Sequence, residues 1–159
     1  EHPEMKLVIA PNVVSDSHLR EILDKVKRPC IRYTEATEEN VTQADGLIID
    51  CYGLLSSIYR YGEISYIGGG FGVGIHNVLE AAVYGIPVVF GPNNKKFREA
   101  QHLLEQKGGF EVTGYDDFKR LMDKFLSDKA CLQQAGKAAG NYVNHNAGAL
   151  EKIMKDITL

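Results

Sequence analysis

Tryptophan is absent from this 159-residue sequence, and cysteine occurs three times. The odd number, the wide spacing of Cys30, Cys51 and Cys131 and the lack of a CxxC pair argue against both a disulfide framework and a zinc site. They read as free cysteines in a reducing compartment. No apolar run approaches the roughly 20 residues that span a bilayer, and no signal-peptide pattern is visible. Nor is there a strong excess of one charge: 18 Lys and Arg stand against 21 Asp and Glu, a net charge of −3. That balance lacks the basic footprint of a nucleic-acid binder, and no nucleic-acid partner is expected. The basic clusters Lys25–Lys27–Arg28 and Lys95–Lys96–Arg98 are short enough to be solvated faces.

What is present is an ordinary globular composition, 44% hydrophobic and 25% charged, of a length that fits one domain. Apolar runs at Lys6–Ala10, Cys30–Tyr33, Gly46–Asp50, Ile64–Ile67, Ile86–Phe90 and Phe110–Thr113 read as strands. Between them lie helical patterns: one after the Ser15-Asp16-Ser17 caps, then Leu54–Tyr61, Ile75–Tyr84, Lys96–Gln106, Asp116–Leu126 and about Lys129–Ile157. The strands are apolar throughout rather than alternating, so they are buried on both faces. The expectation is one Rossmann-like α/β domain over residues 1–159, a doubly wound parallel sheet with long C-terminal helices. The first strand begins almost at once, which leads to the expectation of a fragment of a longer protein.

The stretch YIGGGFGVGIHNVLE places five glycines in the seven residues Gly68–Gly74, after a strand and before a helix. Ligands of open parallel sheets bind beyond the carboxyl ends of the strands. Glycines there permit close backbone approach, and a following helix offers free N–H groups to an anion, most naturally a phosphate. The dinucleotide fingerprint fails in every frame: begun at Gly68, Gly70 or Gly72, its last glycine meets Val73, Ile75 or Asn77. No Walker lysine follows. A turn made only for tight packing is the bland alternative, but seven residues is long for one. His76, Asn77 and Glu80 would share one face of the following helix, with Leu79, Ala82 and Val83 on the core face. A carboxylate at Glu80 suits a ribose diol, and Asn77 suits a phosphate or sugar hydroxyl. Together they point to a nucleotide-sugar site. His76–Glu80 is not a metal-binding pattern, and no metal is expected. Gly53 and Gly91-Pro92 also stand between strand and helix, so three turns are expected to converge on one cleft edge.

These residues resemble the 3-deoxy-D-manno-octulosonic acid (Kdo) transferases. LIIDCYGLLSSIYRYG matches that family's strand, turn and Leu-Tyr helix; YIGGGFGVGIHNVLEAAVYGIPVVFGP matches its glycine loop, His-Asn-x-x-Glu helix and following strand; Phe97 and NAGAL at Asn146–Leu150 match later motifs. Where the family often has Pro-Arg-His, this chain has Pro11-Asn12-Val13, and Leu54 replaces the glutamate of the Gly-Glu-Leu turn. The resemblance implies the C-terminal, donor-binding half of an inverting GT-B glycosyltransferase. Its donor would be CMP-Kdo, with no separate cofactor. It would transfer Kdo to a lipid A precursor in lipopolysaccharide biosynthesis. The catalytic base and the acceptor site would lie in an N-terminal domain, so no catalytic residue is expected in this chain and the chain alone is expected to be inactive. The full-length protein would sit at the cytoplasmic face of the bacterial inner membrane, the fragment itself being soluble. For the donor, the resemblance implies backbone contacts from Gly72, Gly74 and Ile75, with His76, Asn77 and Glu80 beside them and Gly53, Leu54 and Leu55 flanking cytosine. The rival readings are another GT-B enzyme, a UDP-sugar transferase or epimerase, and a non-catalytic nucleotide-binding module.

Overall fold

The computed structural model describes residues 2–148 and divides between Ile58 and Tyr59 into two compact units. In the first, β1 (Leu7–Ile9) is followed by α1 (Asp16–Lys25), β2 (Cys30–Arg32), a 3-10 turn (Tyr33–Glu35), α2 (Glu38–Val41), β3 (Gly46–Ile48) and α3 (Leu55–Ile58). The Ser15 hydroxyl accepts from His18 N–H and starts α1. A reciprocal capping box between Thr37 and Asn40 starts α2. Both β1 and β2 pair with β3 in parallel, Leu7 and Cys30 each opposite Gly46.

The second unit opens with a 3-10 turn (Tyr59–Tyr61), then β4 (Ser65–Ile67), α4 (Leu79–Ala82), β5 (Val88–Phe90), α5 (Arg98–Glu105), β6 (Gly109–Glu111), α6 (Tyr115–Ser127) and α7 (Lys129–Asn146). Its parallel sheet runs β4-β5-β6, with Ser65 opposite Val88 and Val88 opposite Gly109. The central strand β5 is wholly buried, which matches its uninterrupted Val-Val-Phe. Ile67, Val88, Phe90, Leu103 and Ala139 belong to one hydrophobic core, onto which Leu79 and Phe97 pack. Helix α7 lies against α4, α5 and α6. Small residues bring it close: a β-carbon on Gly136 would collide with the Gly85 carbonyl, and Gly85 itself turns at φ +69°.

The parallel α/β architecture and the long C-terminal helices follow the sequence pattern, with hydrogen bonds joining the described strands into two three-stranded sheets. Three details differ. The helix expected from Ile75 begins only at Leu79, because Gly74 has φ +147° and the chain returns across Gly68 before it can coil. Ala81 and Ala82 are its buried residues, and Val83 is 53% exposed. The last helix ends at Asn146; the remainder of the stretch expected to be helical, from residue 149 onward, lies outside the described residues, as does Leu150 of the NAGAL motif.

Candidate functional site

At the carboxyl end of β4 the glycine loop folds on itself. Gly72 N–H (2.9 Å) and Gly74 N–H (3.3 Å) both donate to the Gly69 carbonyl, and His76 N–H donates to the Gly68 carbonyl at 3.1 Å. A β-carbon on Gly69 would strike the Gly74 carbonyl, and one on Gly70 would lie 2.5 Å from Gly91 N. On Gly74 it would lie 2.9 Å from the Phe97 ring. Three glycines are thus demanded by close packing. Gly68 and Gly72 are not: their nearest neighbours would be at an ordinary 3.7 Å. Gly72 is exposed.

The residues just past the loop are not on one helix face. Asn77 precedes α4: its Oδ1 accepts from Leu79 N–H at 3.0 Å, and its Nδ2 donates to Glu80 Oε1 at 3.0 Å. Asn77 is therefore a turn residue that starts the helix and orients Glu80 with the same amide. Glu80 is half-buried and Asn77 exposed. Burial raises the Tyr59 phenol above its ordinary pKa, and the Glu80 carboxylate raises it further. Exposed His76 turns its imidazole over Gly68, where a β-carbon would sit 3.7 Å from Cδ2. Ile75 and Val78 are buried and pin the segment to the core. A single-turn α4 has little macrodipole, so the anion attraction expected from a longer helix is weak here.

A second turn grips this loop, and its role was not read from the sequence. Asn93 N–H donates to the Gly70 carbonyl at 2.9 Å, and Asn93 Nδ2 donates to the Gly72 carbonyl. Behind it, Asn94 is 1% exposed. Its Nδ2 donates to the Gly91 carbonyl (2.9 Å) and to Glu111 Oε2 (2.6 Å), while its Oδ1 accepts from Gln101 Nε2 (2.6 Å). The available signal was two adjacent asparagines after Gly-Pro, with Gln101 seven residues beyond Asn94. Of the three turns expected to converge, those at Gly68–Gly74 and Gly91–Asn94 meet in the second unit. Gly53 (φ +90°) belongs to the first unit, where Ser57 and Ile58 N–H groups donate to the Leu54 carbonyl to start α3 and Leu55 is 41% exposed. Among the described residues no group of three or more His, Cys, Asp or Glu is placed to hold a metal, and no helix is long and apolar enough to cross a membrane.

Fold and loop define an α/β domain of the Rossmann-like class with its principal loops beyond the carboxyl ends of parallel strands. Its fold is that of the C-terminal CMP-Kdo binding domain of WaaA from Acinetobacter baumannii, at a TM-score of 0.67, 16% identity and coverage of 89% of this chain and 90% of that one. Sucrose-phosphate synthase from Thermosynechococcus elongatus shares it more distantly, at a TM-score of 0.51 and 12% identity, with 98% of this chain and 47% of that one covered. In sequence, the chain is a relative of the 3-deoxy-D-manno-octulosonic acid transferases. It is 31% identical to the Aquifex aeolicus protein over 80% of this chain, and 28% identical to the Haemophilus influenzae protein over 97%. The chain spans about a third of the length of these curated relatives, 35% and 37% respectively. No protein-family model matches it.

Proposed function

We propose that the second unit binds the nucleotide part of an activated sugar, CMP-Kdo, as the donor domain of a Kdo transferase. The observation that carries this reading is the joined arrangement of the glycine loop and the Asn77–Glu80 pair. Exposed Gly72 has no packing reason to lack a side chain, and just past the loop Asn77 holds the Glu80 carboxylate with its amide. Donor phosphate would lie along Gly72, Gly74 and Ile75, with Asn77 on phosphate or sugar, Glu80 on the ribose hydroxyls and His76 orienting the loop. The Gly72 and Gly74 amides already donate to Gly69, so a phosphate would take them by exchange, at the expense of those bonds. The family pattern extends the proposed set to Gly53, Leu54 and Leu55. No catalytic residue is assigned to this chain. Its contribution to transfer would be electrostatic support of the departing CMP. The whole protein would be an inverting GT-B enzyme that delivers Kdo to a lipid A precursor at the cytoplasmic face of the inner membrane, its base and acceptor site lying outside this chain.

The test is an amide-shift titration with CMP against UDP. CMP should bind at about millimolar affinity, worth roughly 4 kcal/mol, and shift Gly68–Glu80. Equal response to UDP would favour a UDP-sugar enzyme, and shifts confined to α6 and α7 would move the site elsewhere. Transfer of Kdo by this chain alone would contradict the two-domain reading.

A further inference from the structure

Asn94 is 1% exposed, yet the turn it belongs to holds the loop at several points. Asn93 holds the carbonyls of Gly70 and Gly72. Phe97, whose ring covers Gly74, donates its N–H to the Asn94 carbonyl at 2.9 Å. The turn thus touches the loop at Gly70, Gly72 and Gly74. Asn94 fastens that turn to two other elements: Glu111 at the end of β6 and Gln101 on α5. Its amide has one allowed orientation, because a flip would set Oδ1 against the Glu111 carboxylate and Nδ2 against the Gln101 amide. We infer that Asn94 is a positioning residue for the donor site: through the Gly91–Phe97 turn it sets the spacing of the Gly70, Gly72 and Gly74 backbone on which donor phosphate would rest. The inference rests on the donor-site reading above and adds the element that determines the loop's affinity for phosphate.

Replacing Asn94 by aspartate keeps size and shape but turns the Nδ2 donor into an oxygen facing Glu111 and the Gly91 carbonyl. Asn94→Asp should therefore weaken CMP binding by about fivefold or more and move the Gly70, Gly72 and Gly74 amide signals of the free protein. Adding Glu111→Gln returns an N–H donor opposite the introduced oxygen and should recover part of that loss, the contact with the Gly91 carbonyl remaining repulsive, while Glu111→Gln alone should change CMP binding by less than about twofold. Melting temperature is measured on each variant, and affinities are compared well below it. A purely structural asparagine would lower the melting temperature and leave both the affinity and the glycine signals in place, which would overturn the inference. Failure of Glu111→Gln to recover affinity in the double variant would overturn it as well. Should Asn94→Asp not fold, Gln101→Met removes the donor to Oδ1 and should give the same loop shifts with about a twofold or larger loss of CMP affinity; unchanged shifts and affinity there overturn the inference. If the parent chain shows no CMP-dependent shifts at the loop, the donor-site reading falls and the inference with it. If the parent binds and the variants bind equally, only the inference falls.

Discussion

The two units use one architecture and bury it to very different degrees. Each has three parallel strands with helices between them. In the second, all three residues of β5 are fully inaccessible and most of the core residues belong to one cluster. In the first, Leu19, Ile48 and Ile49 are the buried hydrophobic residues among those described, β2 is half-buried throughout, and Val8 of β1 is 52% exposed. The difference teaches that an apolar strand sequence does not by itself say how completely a strand is covered. Cys-Ile-Arg and Leu-Val-Ile read like Val-Val-Phe, but only the last is enclosed. It also explains why the tightly built loops belong to the second unit. Backbones can be held at contact distance, as Gly70 is against Gly91, only on a rigid base.

The largest effect expected to separate the units is a core truncation. Phe90→Ala should cost about 3–5 kcal/mol in chemical denaturation, because it empties the centre of the second core, whereas Val8→Ala should cost less than about 1 kcal/mol. Amide exchange should rank the same way, slowest at β5 and fast at β1 and β2. Equal protection of both sheets would break the comparison.

The loops sharpen it next. Gly70→Ala pushes a β-carbon into Gly91 and should cost about 1–3 kcal/mol together with displacement of the loop. Gly53→Ala meets nothing within 4 Å, so its cost is the positive φ alone, about 1–2 kcal/mol. The first should also weaken CMP binding by displacing the glycine loop. A Gly70→Ala chain with unaltered stability would show that the close approach to Gly91 carries no weight.

Glu80→Gln acts on binding rather than folding. The amide retains an acceptor for the ribose hydroxyls but not the charge, a difference of about 1.4 kcal/mol or a tenfold loss in donor affinity. If Glu80 only orders the start of α4 through Asn77, the melting temperature falls and donor binding is unaltered. Measuring both on one variant decides between the roles.

Strand order along the chain and the parallel class were legible, because period and composition report them directly. The start of α4 was not, since nothing local announces that Gly74 would adopt φ +147° under the Phe97 ring; that is a tertiary contact across more than twenty residues. The partners of Asn94 were hidden for the same reason: Glu111 and Gln101 reach it only once α5 and β6 have packed. The sequence pattern also assigned the glycines to a ligand, whereas Gly69, Gly70 and Gly74 are already required by the loop's own contacts.

The smallest effect concerns a device found in both units. Thr34 N–H and Oγ1 both donate to Asp50, at 3.0 and 2.6 Å, and Thr113 donates in the same way to Asp117, which also pairs with Arg120. Both carboxyls lie below their ordinary pKa, for different balances of cause. At Asp50 the largest influence is burial, which raises the pKa, and the Thr34 bonds outweigh it with help from Arg32. At Asp117 the Thr113 and Arg120 bonds are the larger influences and burial is minor. A depressed folded pKa contributes stability that is present above about pH 4 and disappears as pH falls through the folded value, so both clamps should weaken only in acid. Thr34→Val and Thr113→Val each remove one hydroxyl donor and should raise the neighbouring aspartate. Asp50 should move closer to or past its ordinary value, because burial then acts with less opposition, while Asp117 should stay below it, held by Arg120 and the remaining N–H. Carboxyl titration by NMR checks both. Asp117 rising above its ordinary value while Asp50 stays depressed would reverse the assignment and remove burial as the force that distinguishes the two clamps.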